Sequence, residues 1–273
     1  MHQWQVAGVN HVDTYGVTKL GASTGVVASA NAASALGSKG AWVVLCSGTS
    51  RTYESLVLTI AGKAAANYLV DLGIGSSTAI YTIQENLPMP SLKAGENYAQ
   101  PYLLPIHVPL SSQLLVRCCA TVSAAAIETT LHGMMQGLQG TPGFAKGVAW
   151  GVNSANSRGT TLDAGATANT KSALTVIQTT VLDNWKAMAI CFGNAADIAR
   201  TNLTFLVDVF VNSQPAILDV LVKGGTDADV PVPFWYPPFA CVIKSGDIIS
   251  GRVQSASTTA GDRALDILLL GYR

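Results

Sequence analysis

The chain has 273 residues, enough for one large domain or for two domains of about 100–150 residues each. Charged residues make up only 12% of it, with 16 basic and 16 acidic side chains, so no net charge draws the chain to nucleic acid or to an anionic membrane. Hydrophobic residues reach 49% and the mean hydropathy is +0.33, yet no run of about 18 apolar residues is present to span a bilayer.

The first 40 residues carry few structural signals. The opening MHQWQVAGVNHVDTYG lacks a basic stretch followed by an apolar block of about 7–15 residues, so it predicts no signal peptide and favours synthesis in a cytoplasm. The alanine-rich SANAASALGSKG, residues 29–40, is compatible with a short helix or with an ordered loop.

Two similar apolar segments follow, and each has one aspartate at its centre. Residues 68–75 read YLVDLGIG and residues 205–212 read FLVDVFVN. Alternation along a strand places the apolar side chains at every second position on an inward face. Asp71 and Asp208 are therefore expected on the outward face, where water, a neighbouring strand or a loop satisfies them. They are either a catalytic pair or the same position in a repeated building block.

Other segments are repeated as well, and the period favours a duplicated module. The matched pairs are GAWVVLCSG with DNWKAMAICFG, PLSSQLLVRCCATV with KSGDIISGRVQSAS, IETTLHGM with LDILLLGY, and YGVTKLGASTG with WGVNSANSRGT. They predict two homologous units, residues 1–140 with an N-terminal arm and residues 141–273, joined across GMMQGLQGTPGF. Arg117 and Arg252 correspond in this alignment, and each is interpreted as a solvated face residue, with a contact to a partner as the alternative.

The fold class follows from the number and length of the apolar segments. Each unit contains about seven or eight short, β-branched stretches separated by turns, which predicts two tandem antiparallel β-sandwiches of jelly-roll type with long loops. Prolines in PMPSLKAGENYAQPYLLPIHVP and PVPFWYPP fall at strand ends and in extended connections. Aromatic residues cluster in the same stretches, and Trp235, Tyr236, Phe239, Tyr98 and Tyr102 are candidate interface residues, with ordinary packing as the alternative.

The order of these segments resembles structural proteins of tailed-bacteriophage virions. The resemblance rests on YLVDLGIG, ENLPMP and LPIHVPLSSQLLVRCCAT in the first unit, and on CVIKSGDIISGRVQSAS leading to DILLLGY in the second. It covers about two-thirds of the chain and consists of strand patterns rather than chemistry. It implies a β-sandwich virion component and leaves open whether that component lies on the capsid, the neck or the tail. The second unit departs from the pattern because Phe210 and Asn212 replace the two glycines of G-x-G.

Signals for catalysis or metal binding are weak. The four histidines are scattered, no P-loop or G-x-S-x-G motif occurs, and the two repeated aspartates are expected farther apart than the roughly 5–10 Å of a glycosidase pair. The odd set of cysteines has no C-x-x-C spacing and is expected to be free, buried thiols: Cys46, Cys118, Cys119, Cys191 and Cys241. We therefore expect no enzyme activity, cofactor or metal.

Two non-enzymatic functions remain. The first is a virion protein that binds other capsid, neck or tail proteins through neutral apolar contacts and edge strands, without nucleic acid or membrane. Self-association is expected, with trimers favoured because closed symmetry hides edge strands. The alternative is a glycan-binding or receptor-binding module whose aromatic platform is Trp235, Tyr236, Tyr98 and Tyr102, with Asn86 and Asn97 as hydrogen-bonding partners.

Overall fold

The computed structural model describes residues 12–17, 25–29, 38–64, 66–76, 79–91, 99–135, 143–153, 159–193, 204–223 and 233–273. The regular secondary structure in these residues consists of β-strands only, which confirms the all-β fold class. A helix of the length and apolarity needed to cross a membrane does not occur among them. The possible helix at residues 30–37 and the centre of the joining segment, residues 136–142, lie outside the described residues.

The described residues form eighteen strands, and we refer to the first nine as the first unit and to the rest as the second unit. The first unit contains β1 (Val12–Tyr15), β2 (Val26–Ser29), β3 (Val43–Cys46), β4 (Ser55–Gly62), β5 (Ala66–Ser76), β6 (Ala79–Ser91), β7 (Ala99–Leu104), β8 (Gln113–Ala120) and β9 (Ala126–Met134). The second unit contains β10 (Gly147–Trp150), β11 (Thr160–Asp163), β12 (Thr175–Gln178), β13 (Trp185–Gly193), β14 (Thr204–Val211), β15 (Gln214–Lys223), β16 (Pro233–Ile243), β17 (Ile249–Ser255) and β18 (Ala264–Tyr272).

These strands form three sheets. A five-stranded sheet has the order β1-β9-β4-β7, with β2 also paired to β9, and a four-stranded sheet has the order β12-β17-β14-β15. The third sheet has nine strands, in the order β16-β13-β18-β10-β6-β5-β8-β3, with β11 also paired to β18. Its two halves come from different units and meet where β10 pairs with β6 in parallel, at Gly147 and Gln84.

Two hydrophobic cores lie between these sheets. The first is enclosed by the five-stranded sheet and the strands β5, β6 and β8, and the second by the four-stranded sheet and the strands β10, β13 and β18. Strands β13 and β18 contribute to both cores, because alternate residues of a strand point to opposite faces. Ala189 and Leu270 belong to the first core, whereas Ile190 and Leu269 belong to the second. The two sandwiches are thus packed against each other through a shared sheet.

The strand pairings of the first unit recur in the second. Each of the seven strand pairs within the first unit, from β1 with β9 to β5 with β6, has a counterpart in the second unit nine strands later. The registers agree as well, since Tyr15 lies opposite Leu131 and Trp150 opposite Leu269. The two units therefore have the same topology, and equivalent residues can be identified from the pairing itself.

The pairing corrects one of the sequence matches. GAWVVLCSG contains β3, which pairs with β8, and the strand that pairs with β17 in the same way is β12. DNWKAMAICFG contains β13, which lies between β18 and β16 just as β4 lies between β9 and β7. The match of these two segments is wrong, because an apolar run that follows a tryptophan suits any buried strand. Only non-local pairing distinguishes β4 from β3.

Candidate functional site

Asp71 lies on β5 with only 3% of its surface exposed, and it is surrounded by donors. Its Oδ1 accepts hydrogen bonds from Lys39 Nζ at 2.8 Å and from the N–H of Asn86 at 2.9 Å, and its Oδ2 accepts one from Arg117 Nε at 2.9 Å. The Arg117 guanidinium also lies over the Trp42 ring, 4.4 Å from its centroid. We call this group of five residues the first carboxylate cluster.

Asp208 on β14 is 1% exposed and has the same environment. Its Oδ1 accepts hydrogen bonds from Lys171 Nζ at 2.7 Å and from the N–H of Asp219 at 2.9 Å, and its Oδ2 accepts one from Arg252 Nε at 2.7 Å. The Arg252 guanidinium lies 5.0 Å from the centre of the Phe210 ring. These residues form the second carboxylate cluster, which matches the first donor for donor.

A β-bulge supplies the backbone donor in each cluster. The register of β5 against β6 shifts next to Asp71, and that of β14 against β15 shifts next to Asp208. The residues that donate the N–H have positive φ angles, 53° at Asn86 and 56° at Asp219. Asparagine and aspartate tolerate this left-handed conformation better than other residues with side chains. The bulge therefore turns one amide of β6 or β15 towards the carboxylate.

The environment of Asp208 favours its ionised form. Burial alone would raise the pKa of this carboxyl, but the hydrogen bonds from Lys171, from the Asp219 N–H and from Arg252 outweigh burial and lower it. A general base needs a pKa near the working pH and a lone pair that reaches the substrate. Asp208 already accepts three hydrogen bonds within the fold, so this arrangement suits a structural ion pair rather than proton transfer.

The outward face around the two aspartates is thus covered by a lysine and an arginine in each unit rather than solvated. Arg117 and Arg252 are partners of the aspartates, not merely solvated face residues. Sequence reasoning missed Lys39 and Lys171 altogether. A signal for them exists, because SKGAW at residues 38–42 and TKSAL at residues 170–174 share the same pattern.

A polar cluster lies at one end of the first unit, and one of its polar positions is occupied by leucine in the second unit. The Tyr53 hydroxyl donates a short hydrogen bond to Asp13, which also accepts one from Ser50 Oγ at 2.7 Å. Thr49 forms two backbone hydrogen bonds with the turn that precedes β8. Val181 forms two equivalent bonds with the turn that precedes β17, so Thr49 and Val181 are counterparts. The residues that follow them, Ser50 and Leu182, therefore occupy matching positions.

That leucine, Leu182, is one of three exposed apolar residues on adjoining segments at this end of the second unit. Its side chain is 83% exposed, and Val242 is 78% exposed. Ser245 Oγ donates to the backbone oxygen of Leu182, so the loop that carries Leu182 lies against the turn between Val242 and Ile248. Ile248 is also exposed. We call Leu182, Val242 and Ile248 the apolar end of the second unit.

The predicted interface residues differ in their burial. Tyr102 is fully buried and its hydroxyl donates to the backbone oxygen of Pro88, so it offers no exposed ring to a protein or a glycan. Phe239 is partly buried and packs against the second core. Trp235 and Tyr236 lie on β16, where only their backbone is described, and Tyr98 lies outside the described residues.

The cysteines are free thiols, as predicted, and four of them are buried. Burial raises the pKa of the Cys118 thiol to about 12 and that of the partly buried Cys241 thiol to about 11. Both thiols therefore stay protonated at neutral pH and react slowly. Within the described ranges, no group of three or more histidine, cysteine, aspartate or glutamate side chains could hold a metal ion.

Comparisons with known proteins give only distant structural similarities. No protein-family model and no curated protein matches the chain. Among solved structures, PNGF-II has a TM-score of 0.42 and 8% identity, and the alignment covers 96% of this chain and 65% of PNGF-II. VP54 of PBCV-1, fitted into a reconstruction of the virophage Sputnik, has a TM-score of 0.39 and 12% identity over 93% of this chain and 95% of VP54. The STIV MCP has a TM-score of 0.34 and 8% identity, over 91% and 96%. At TM-scores below 0.5, these similarities identify neither a fold family nor a function.

Proposed function

We propose that the chain is a non-enzymatic structural protein of a bacteriophage particle. It binds other virion proteins on the capsid, as a decoration or cement protein, or on the neck or tail. Its two units are copies of one module, and it forms homo-oligomers, with trimers favoured. The resemblance in the strand motifs supports the virion assignment, and the matching registers of the two units support the duplication.

The observation that carries this proposal is the contrast between matching ends of the two units. In the first unit, Ser50 is hydrogen bonded within a polar cluster, whereas its counterpart Leu182 is exposed on a loop that is hydrogen bonded to the turn between the exposed residues Val242 and Ile248. Exposed apolar side chains on adjoining segments are a feature of protein–protein contact sites. Two copies that keep one fold but differ at the same end are suited to different neighbours. The second unit therefore attaches to a lattice protein of the particle.

The buried charges support a role in assembly rather than catalysis. Asp71 and Asp208 lie in different sheets, and each is ion paired with a lysine and an arginine of its own unit. Both carboxylates therefore hold a covering segment onto a sheet. Because the chain is charge-balanced overall, contacts with a lattice protein need few buried charges, which are costly when unpaired.

Particle attachment tests this proposal. Particles are purified from the lysate in which the native gene is expressed, and the chain is located by cryo-electron microscopy and peptide mass spectrometry. We expect a stoichiometric signal that Leu182→Glu and Val242→Glu remove. Asp183→Asn, a change at an exposed residue beside Leu182, serves as the control and should attach normally. Absence of the wild-type chain from purified particles would refute the proposal.

A further inference from the structure

We propose that copies of this chain bind head to tail, with the β1 edge of one copy against the β15 edge of the next. This inference deepens the proposed assembly function and names a second copy of the chain as the partner. It rests on a junction that already exists inside the chain and on two strand edges that match the two sides of that junction.

The internal junction joins the two units of one chain. Strand β10 adds to the edge of β6 through the parallel pair of Gly147 and Gln84. Lys146 Nζ and Glu85 Oε1 form an ion pair at 3.1 Å beside it. This junction continues the sheet of the first unit into the second, and it leaves Gln84 fully buried.

The same two edges occur once more in the chain. The counterpart of β10 in the first unit is β1, and the counterpart of β6 in the second unit is β15. Within the part of the chain that the structure describes, β1 pairs in a sheet only with β9, and β15 only with β14. Edge strands that can add another strand are natural sites of association. Each chain therefore presents both halves of the junction, one half on each unit.

The β15 edge carries apolar side chains at the two positions where the β6 edge of the internal junction carries polar ones. Ile217 and Leu218 of β15 correspond to Gln84 and Glu85, since the pairs formed by β14 and β15 repeat those formed by β5 and β6. Leu218 is 53% exposed. Val12 of β1, also exposed, corresponds to Gly147.

The glycine position of the internal junction is crowded by the side chain of Gln84. A Cβ atom on Gly147 would lie 2.0 Å from Gln84 Oε1 and 2.8 Å from Gln84 Cδ, so a larger residue there would require the glutamine side chain to move. Both atoms belong to the outer part of the glutamine side chain, and the shorter side chain of Ile217 has no atom that corresponds to Oε1. Val12 can therefore approach Ile217 and Leu218, and this replaces a polar contact by an apolar one that excludes water.

Unlike edges produce a heterologous contact rather than a two-fold dimer. Such contacts close into a ring when the rotation permits, and otherwise they extend into a filament. A ring covers both edges of every copy and alternates first and second units around its axis. This agrees with the trimers favoured by the proposed function, because three chains place six similar units in one ring.

Self-association of the purified full-length chain tests the contact. Sedimentation velocity over a concentration series should show an oligomer for the wild type and a monomer for Leu218→Glu. Leu182→Glu is the matched control, since it adds the same charge at a more exposed leucine on the apolar end, and it should remain oligomeric. Circular dichroism confirms that the variants are folded. A wild type that stays monomeric at all concentrations, or equal loss with both variants, overturns the inference.

Cross-linking tests the order of the edges. Two chains are prepared in a Cys241→Ala background, one with Val12→Cys and the other with Leu218→Cys, and each is treated with a short bismaleimide alone or mixed with the other. The mixture should give a covalent dimer, and each variant alone should remain uncross-linked. Dimers of a single variant, or none in the mixture despite oligomer formation, contradict the head-to-tail order. A chain that forms this contact but is absent from particles contradicts only the proposed virion function.

Discussion

Replacing Asp208 by asparagine should destabilise the protein by about 3 kcal/mol. The substitution keeps the shape of the side chain but removes the charge that faces Lys171 and Arg252, both at 2.7 Å. Breaking a buried ion pair by removing one partner costs roughly 3–5 kcal/mol. The lower end applies here because the side chains of Lys171 and Arg252 are partly exposed and water can solvate them. A loss of this size corresponds to a decrease in Tm of roughly 6–12 °C.

The control is Asp183→Asn. Asp183 forms an ion pair of similar length with Arg273, at 2.8 Å, but both side chains are well exposed. Exposed pairs contribute about 0–1 kcal/mol, so this variant should unfold close to the wild type. Thermal and urea unfolding are followed by circular dichroism, and hydrogen exchange locates the loss, which should begin in β14, β15 and β17. Equal stability of the Asp208→Asn and Asp183→Asn variants would refute the stabilising role of the second carboxylate cluster.

The ion pairs of Asp208 also predict that the free energy of unfolding depends on pH. The pKa of Asp208 is lower in the folded protein than its ordinary value of about 3.9, so its ionised form is the one that stabilises the fold. The stabilisation is complete above about pH 4–5 and is lost as the pH falls through the folded-state pKa. The difference in unfolding free energy between the wild type and Asp208→Asn should therefore shrink as the pH is lowered from 6 towards about 2–3. A difference that stays constant over this range contradicts the assignment.

Three further predictions concern packing. Gly159→Ala should be strongly destabilising in thermal unfolding, because a Cβ atom there would lie 2.3 Å from a backbone oxygen of β18. Gly48→Ala should be nearly neutral, because a Cβ atom on Gly48 has no other atom within 4 Å. A thiol reagent should modify at most one cysteine of the folded protein, the partly buried Cys241, and all five after unfolding, so rapid modification of several thiols in the folded state would contradict the burial. Tyr102→Ala should lower stability by about 3–5 kcal/mol, the usual cost of removing a large buried side chain, and a variant of wild-type stability with lost particle attachment would show instead that Tyr102 is an interface residue.

The local patterns predicted the strands well. Alternation in YLVDLGIG and FLVDVFVN placed Val70 and Val207 in the cores, where both are fully buried. The repeated aspartates also indicated equivalent positions, and the registers of β5 with β8 and of β14 with β17 place each opposite an arginine. These features can be predicted from the sequence because the backbone geometry of a strand makes its side chains alternate between two faces.

The candidate site was less predictable. Lys39 and Lys171 reach their carboxylates from 32 and 37 residues away, and no local rule tells which loop covers a strand face. The burial of Tyr102 was missed for the same reason. In a proline-rich stretch, the sequence around an aromatic residue does not distinguish a buried side chain from an exposed one. Exposure depends on which distant segments cover a surface.

The sequence by itself determined an all-β chain with a repeated strand, one apolar face on each copy and an aspartate on the other face. Only the tertiary structure decided that this second face is covered, that a lysine and an arginine neutralise each aspartate, and that one nine-stranded sheet joins the two units. The physical reason is that alternation along a strand is a property of neighbouring residues, whereas the burial of a charge and the pairing of an edge depend on contacts between residues far apart in the chain.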